Sequence, residues 1–288
     1  MTSLAIENFR KGHPDPPKAK KDLKTKMLRS AQHDKKDFAL QDSTVYGPIH
    51  SRRLGHSLGI NPLPVSYKFC DFDCVYCQYS WTPEKGTGEK IKRAPQLLQK
   101  IQSAFEYHTK IKTHVDCITL AGNGEPTIHP DFLKLVTGLV QLRDQFYPKA
   151  KLGVLTDSSQ VHRLEIRDAL EMLDERYMKL DAGSPELLAK INKPRGDFDF
   201  ERMVNALRSM RDIVIQSLFM QGSFDNTQPE DIDHWIETVG FIQAREVQVY
   251  TIDRKPADPG LKKVSAKRLH EIAEACQSMT GIRSVVYD

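Results

Sequence analysis

The sequence predicts an α/β protein in which short strands alternate with amphipathic helices around a mainly parallel sheet. Six short apolar runs are each followed by a segment with the periodicity of a helix. Repeated strand–helix units of this kind favour right-handed βαβ connections. Gly, Asn, Asp and Ser gather directly after the apolar runs, where the carboxyl ends of parallel strands would face a ligand.

The predicted elements follow one another along most of the chain. The strands are expected at 56–62, 115–122, 151–157, 177–183, 213–222 and 246–253. The helices are expected at 94–108, 131–146, 161–173, 199–211, 229–243 and 265–279, with a short helical turn at 184–192. A final apolar stretch at 282–288 makes the last helix part of a C-terminal helix–strand addition. This pattern fits an open doubly wound sheet and a curved barrel of six units equally well.

Charge and composition divide the chain into two parts. Residues 1–37 contain ten Lys or Arg and five Asp or Glu, a net charge of +5 that leaves −1 of the total of +4 for the rest. We predict a basic, disordered N-terminal extension over 1–44 and one folded domain over 45–288. Hydrophobic residues make up 39% of the chain, and no apolar run approaches the roughly 18 residues of a membrane span, so no membrane partner is expected. Five cysteines without a secretion signal indicate a reducing, cytoplasmic compartment.

Three of the five cysteines lie within eight residues, in the stretch "CDFDCVYC". Cys70, Cys74 and Cys77 are four and three residues apart, a spacing that lets one short loop surround a metal centre. A structural zinc site would need a fourth cysteine or histidine nearby, and neither His56 nor His108 is an obvious candidate. An iron–sulfur cubane held by three thiolates keeps one iron open for chemistry. A zinc or iron–sulfur site in a non-catalytic binding protein is the alternative.

The segment "GNGEP" ends the second predicted strand and is suited to hold an amino-acid ligand that chelates such an open iron. Gly122 and Gly124 allow the backbone to approach closely, and Glu125 can accept hydrogen bonds from the amine of an amino-acid ligand. Taken alone, the segment could equally be a tight strand-to-helix turn.

Together, "CDFDCVYC" and "GNGEP" resemble the radical S-adenosylmethionine (SAM) superfamily. The resemblance implies an α/β fold of the partial TIM-like (β/α)6 barrel type and therefore favours the curved alternative. The further segments "VYGPIHSRRLGHSLGINPLP", "KLDAG", "INKP" and "YTIDRKPA" resemble the Fe–S oxidoreductases grouped with wyosine-type tRNA-modification enzymes.

The resemblance implies that Cys70, Cys74 and Cys77 ligate a [4Fe–4S] cluster whose fourth iron is chelated by the methionine part of SAM. Tyr76 would lie against the adenine. Three groups of residues would complete the SAM site: Gly122, Asn123, Gly124 and Glu125 at the amine; Asp157, Ser158, Lys179 and Asp181 at the carboxylate and ribose; and the run 249–252, which includes Ile252, in support of the adenine.

The implied reaction is reductive cleavage of SAM to a 5′-deoxyadenosyl radical that abstracts hydrogen from a substrate. A reductant such as flavodoxin or ferredoxin is the implied partner, and a tRNA base is the implied substrate. Wyosine-forming enzymes hold a second cluster on upstream cysteines, and this chain has no cysteine before Cys70. A small-molecule or protein substrate is therefore the alternative, favoured by the near-neutral body of the chain. The polar residues expected to contact substrate are Arg52, Arg53, Gln216, Asp253 and Arg254.

Overall fold

The computed structural model describes residues 40–288, so the predicted extension lies almost entirely outside the described residues. Nine strands form one sheet: β1 Val45–Ser51, β2 Gly55–Ile60, β3 Cys117–Leu120, β4 Lys151–Thr156, β5 Glu175–Lys179, β6 Ile213–Gly222, β7 Glu246–Thr251, β8 Leu261–Lys263 and β9 Ser284–Tyr287. In the same part of the chain, residues 40–288, seven α-helices accompany these strands: α1 Ala94–Lys110, α2 Phe132–Phe146, α3 Leu164–Glu171, α4 Pro185–Ile191, α5 Phe200–Arg208, α6 Pro229–Ile242 and α7 Ala266–Thr280.

The strand order is β1-β2-β3-β4-β5-β6-β7-β9, with β8 paired to the end of β6. The six predicted strands are β2 to β7, and they run parallel to one another, as expected. The C-terminal addition is also confirmed, because β9 pairs parallel to β7. Two antiparallel strands were not predicted, β1 at the edge and the three-residue β8. In β1 the alternation is broken at Gly47 and Pro48, where the pairing with β2 shifts register.

The sheet is curved rather than open. Arg53 lies in the β1–β2 turn, near one edge of the strand order, and its guanidinium carbon is 4.9 Å from the centre of the Tyr250 ring in β7. The same group is 5.6 Å from the ring of Tyr287 in β9, at the other edge. An open sheet would keep its two edges apart, so these contacts identify the partial (β/α) barrel that the sequence pattern alone left undecided.

Apolar helix faces cover the outside of the barrel. In α1, Leu97, Ile101 and Phe105 recur at the spacing of one helix face and are almost completely buried. In α6, Trp235 packs edge-on against Phe219 of β6, and its indole nitrogen donates to a main-chain oxygen of the β5–α4 connection. Within residues 40–288, every helix is too short or too polar to cross a bilayer.

Candidate active site

The cysteine loop connects β2 to α1 and is fixed to the turn that follows β3. The Phe69 amide donates to the Asn123 carbonyl at 2.8 Å, and the Glu125 amide donates to the Phe69 carbonyl at 3.1 Å. Gly124 makes this pairing possible. Its φ is +147°, and a Cβ there would come within 1.6 Å of the Phe69 carbonyl oxygen. The two motifs recognised in the sequence therefore form one unit of structure.

The other side of the loop is fixed to the segment that follows α4. The Val75 amide donates to the Ile191 carbonyl at 2.9 Å, and the Asp73 amide donates to the Lys193 carbonyl at 3.1 Å. The Arg195 amide closes this pairing by donating to the Asp71 carbonyl at 2.8 Å. Backbone hydrogen bonds on both sides thus hold the cysteine loop across the carboxyl ends of the strands.

The three cysteines carry free, half-buried thiols. The Cys70 Sγ lies 3.7 Å from an Asp157 carboxylate oxygen, and the Cys74 Sγ accepts a hydrogen bond from Asn192 Nδ2 at 3.3 Å. Burial raises the pKa of Cys74 to about 12, and burial together with Asp157 raises the pKa of Cys70. Bare thiolates would thus be unfavourable here, whereas coordination to a metal would stabilise them.

A buried lysine supplies positive charge to the thiols. Lys68 is only 3% exposed, and its ammonium donates to the Ser80 carbonyl at 3.0 Å and pairs with Asp73 at 3.4 Å. Burial by itself would lower the pKa of Lys68, but the three cysteines and Asp73 raise it above its ordinary value. Lys68 is therefore suited to offset the negative charge of a thiolate-bound cluster.

Three carboxyl groups gather on the other side of the loop, and those of Asp71 and Asp157 have an oxygen within 4.8 Å of the Cys70 thiol. Burial and Asp71 raise the pKa of Glu125 to about 7, and burial, Asp71 and Glu125 raise the pKa of Asp157. One Asp71 carboxylate oxygen is buried without a hydrogen-bond partner. Because burial and mutual repulsion disfavour the ionised forms of these carboxyl groups, a cationic ligand such as SAM, which carries a sulfonium and an ammonium, would stabilise them. The donor set of the loop and the charge beside it thus both fit the implied cofactors.

Within the "GNGE" turn, Asn123 is bound to the main chain of the protein, whereas Glu125 keeps a free acceptor site. Asn123 is completely buried, and its amide is engaged by the main chain of Gln41 and Pro64. Glu125 Oε1 accepts from Thr127 and Thr156, while Oε2 accepts the Asp157 amide at 2.6 Å and no other donor among residues 40–288. Because a carboxylate oxygen can accept two hydrogen bonds, Oε2 retains capacity for one donor.

A second polar cluster lies at the end of β5. The Tyr76 hydroxyl donates to Asp181 Oδ2, and Asn192 Nδ2 donates to the same oxygen at 2.9 Å. Lys179 pairs with Asp181 Oδ1 at 3.1 Å, and its ammonium lies 4.7 Å from the centre of the Tyr76 ring. Ser158 is joined to this cluster because its hydroxyl donates to the Lys179 carbonyl at 3.0 Å. Tyr76, Ser158, Lys179 and Asp181, which come from different parts of the sequence, are thus brought together.

The remaining predicted residues are spread more widely. Gln216 is buried on β6 and donates to Gln248 at 2.8 Å. Ile252 is buried directly after β7, whereas Asp253 is exposed and lies 3.6 Å from Lys263. Arg52 and Arg53 precede β2 and so lie at its other end from the cysteine loop; Arg52 contacts the main chain of the C-terminal residue. Arg254 is exposed.

Three residues of the site were not predicted: Lys68, Asp71 and Asn192. Asn192 lies in "INKP", which was noted only as part of a resemblance, although its amide contacts Cys74, Tyr76 and Asp181. Asp71 stands inside the cysteine motif itself. Tyr250 belongs to the run 249–252 that is expected to support the adenine, and in the structure its hydroxyl accepts a hydrogen bond from Lys179 at 2.7 Å.

Comparison with known proteins identifies the family. The model of the radical SAM superfamily matches residues 65–238. The chain is 30% identical over 213 residues to a UPF0026 protein of Synechocystis sp.. This alignment covers 71% of the present chain and 74% of the Synechocystis protein. It is also 29% identical over 255 residues to a Brachyspira hyodysenteriae protein named GTPase Obg. This second alignment covers 88% of the present chain but only 36% of the Brachyspira protein. The chain thus spans about a third of the length of the Brachyspira relative.

Two further similarities are more distant. A tRNA-2-methylthio-N(6)-dimethylallyladenosine synthase of Bartonella tribocorum is 22% identical over 249 residues, which cover 81% of this chain and 52% of that enzyme. The crystal structure of a radical SAM methyltransferase from Sphaerobacter thermophilus superposes with a TM-score of 0.58 at 14% identity, over 80% of this chain and 65% of that one. The latter confirms the fold.

Proposed function

The chain belongs to the radical SAM superfamily, whose enzymes use a [4Fe–4S] cluster and SAM, and we propose that Cys70, Cys74 and Cys77 bind the cluster here. The observation that carries this proposal is the convergence of three free thiols beside buried Lys68, on a loop fixed to the turn after β3. When bound, the cluster and SAM supply a one-electron cleavage that yields methionine and a 5′-deoxyadenosyl radical.

The chain's own residues would orient SAM. The turn from Gly122 to Glu125 presents an anionic face to the methionine amine, and Glu125 Oε2 keeps room for one donor. Tyr76 would lie against the adenine, with its hydroxyl fixed by Asp181 and Asn192. Asp157, Ser158, Lys179 and Asp181 would face the carboxylate and ribose, and Ile252 would support the adenine.

The external reductant remains part of the proposal. Radical SAM enzymes generally need one, and flavodoxin or ferredoxin is the class we propose. The free, buried thiols of Cys117 and Cys276 support a reducing compartment, the cytoplasm, as the place where the protein works.

For the substrate we propose a tRNA base. The Bartonella relative modifies tRNA according to its name. Trp81 follows the last cluster cysteine by four residues and is 41% exposed. The Lys193 ammonium lies 4.8 Å from the centre of the Trp81 ring. An exposed aromatic ring beside a cation can stack on an unpaired base and hold its phosphate. Basic residues continue along the same loop at Lys85, Lys90, Lys92 and Arg93.

Binding to tRNA tests this substrate. The full-length protein with its cluster should bind bulk tRNA with an affinity that falls about tenfold between 50 and 200 mM salt, the change expected for two phosphate contacts. The slope should survive deletion of residues 1–37. Trp81→Ala should weaken binding by about tenfold, since stacking of one base is worth 1–3 kcal/mol. Phe241→Ala removes a similarly exposed ring from α6 and should have no effect.

A small-molecule substrate is the second candidate. The strands of the barrel carry the buried amides of Gln216 and Gln248 and the half-buried polar groups of Lys179 and Tyr250. A small polar substrate would require groups of this kind. A salt slope that disappears when residues 1–37 are deleted, together with an unaffected Trp81→Ala variant, would favour this candidate over tRNA.

A further inference from the structure

A cluster of histidines lies at the other end of β2 from the cysteine loop. His56 is the second residue of β2, and His114 and Asp116 directly precede β3. All three side chains are exposed. They take no part in the proposed radical chemistry, and nothing in that chemistry explains why they gather here.

The ligand atoms of the three residues converge on one point. His56 Nδ1 lies 3.1 Å from Asp116 Oδ2, and His114 Nε2 lies 2.8 Å from Asp116 Oδ1. One ligand atom from each residue lies within 4.8 Å of the others. Ligands of a four-coordinate zinc ion with bonds of 2.0–2.2 Å lie about 3.3 Å apart, so small side-chain rotations would close the site.

Backbone hydrogen bonds hold Asp116 next to His56. Asp116 Oδ2 accepts the His56 amide at 2.8 Å, and the Asp116 amide donates to the His56 carbonyl at 2.9 Å. Gly55 has a φ of +67°, and a Cβ there would come within 2.5 Å of the same carboxylate oxygen. The absence of a side chain at Gly55 therefore lets the Asp116 carboxylate lie against β2.

A third imidazole stands beside the other two. His50 of β1 pairs with His56 across the antiparallel strands, and their ring centroids are 5.1 Å apart. The rings of His56 and His114 are 5.2 Å apart. Three imidazoles gathered this closely repel one another when protonated, whereas neutral imidazoles are good ligands for a transition metal.

We propose that His56, His114 and Asp116 form a binding site for a divalent transition-metal ion of the zinc type, with the ring of His50 packed against that of His56. Two imidazoles and a carboxylate are a donor set that suits zinc better than magnesium or calcium, which prefer oxygen ligands. Such an ion would join the β1–β2 hairpin to the segment entering β3 and stabilise the edge of the barrel.

Zinc binding to the holoenzyme tests the proposal. The full-length protein is loaded with its iron–sulfur cluster, so that the cysteines are occupied, treated with a weak chelator, desalted, and titrated with Zn²⁺ by calorimetry. One zinc per chain should bind, and the thermal midpoint should rise by about 3 °C at saturation. The double variant His56→Gln/His114→Gln should lose at least tenfold in affinity and show no thermal shift.

The matched control is His234→Gln/His270→Gln, which removes two exposed histidines elsewhere and should bind like the unchanged protein. Absence of a stoichiometric zinc, or equal affinity in both double variants, would overturn the proposal. A second measurement needs no variant. Zinc should slow the carbethoxylation of His56 and His114 at least tenfold by mass spectrometry and leave His234 and His270 unaffected. Equal modification of all four histidines with and without zinc would also overturn it.

Discussion

The Lys179 ammonium donates a hydrogen bond of 2.7 Å to the Tyr250 hydroxyl across the barrel, from the end of β5 to β7. The same ammonium pairs with Asp181 at 3.1 Å and lies against the rings of Tyr76 and Tyr250. Burial by itself would lower the pKa of Lys179, but Asp181 and Tyr250 raise it above its ordinary value. Lys179 is thus a fixed cation next to the proposed SAM site, and not a neutral amine available as a nucleophile.

Replacing this cation should be costly. Lys179→Met leaves Asp181 buried without its countercharge, so we expect the free energy of unfolding to fall by about 3 kcal/mol. Lys190→Met removes an exposed lysine of α4 and should change it by less than about 0.5 kcal/mol. Urea denaturation of both variants and of the unchanged protein measures the free energies of unfolding to be compared. Equal, small losses would show that the buried pair contributes little.

Gly124 should be irreplaceable for a steric reason. In Gly124→Ala the new methyl group collides with the Phe69 carbonyl, so the cysteine loop must move away from the turn after β3. We expect a loss of at least about 2 kcal/mol of unfolding free energy and a much lower iron content after reconstitution.

Gly196→Ala is the control for that variant. Gly196 also has a positive φ, +79°, but no atom lies within 4 Å of a Cβ there. This variant therefore experiences backbone strain alone, about 1 kcal/mol, and should assemble its cluster normally. If the two variants retained iron equally, close approach at Gly124 would not be what positions the loop.

Glu175 should make stability depend on pH in the acid range. Its carboxylate accepts from Lys151 and, at 2.7 Å, from Arg245. Burial raises the pKa of Glu175, but these two hydrogen bonds lower it below the ordinary value of 4.5. The group therefore contributes stability above the unfolded pKa of 4.5, and this contribution is lost as pH falls through the lower folded value.

Glu175→Gln should thus lower the unfolding free energy by about 1 kcal/mol at pH 7, a modest loss because both cations are partly exposed. The difference from the unchanged protein should shrink as the pH is taken below 4.5 in a series of urea titrations. Glu237→Gln, an exposed position on α6, should show neither effect. A difference that stays constant down to pH 3 would contradict this explanation.

Local periodicity was sufficient to predict the helices and the parallel strands β2 to β7, because each βα unit buries one apolar face of its helix and strand. It did not predict the antiparallel strands β1 and β8. The curvature of the sheet could not be predicted in this way. A strand of an open sheet and a strand of a barrel have the same alternation, and only long-range contacts such as Arg53 with Tyr287 separate the two.

The candidate site, like the fold, could be predicted only where its residues form a local pattern. The offsets of Cys70, Cys74 and Cys77 are local, so the cysteine motif was visible in the sequence. Asn192, by contrast, reaches Cys74 across 118 residues of chain, and Lys68 acquires its role only when the loop folds over it. Their residue types are ordinary and their neighbours are set by the tertiary structure. No local pattern distinguishes them from other polar residues.

The most direct test of the central claim is whether the three-cysteine loop cleaves SAM. The anaerobically reconstituted protein, incubated with SAM and dithionite, should form 5′-deoxyadenosine, detected by mass spectrometry. Cys74→Ala should abolish the product, whereas Cys117→Ala, a buried core position in β3, should retain it. Product formation that persists in Cys74→Ala, or its absence from protein with a full complement of iron and sulfide, would contradict the account.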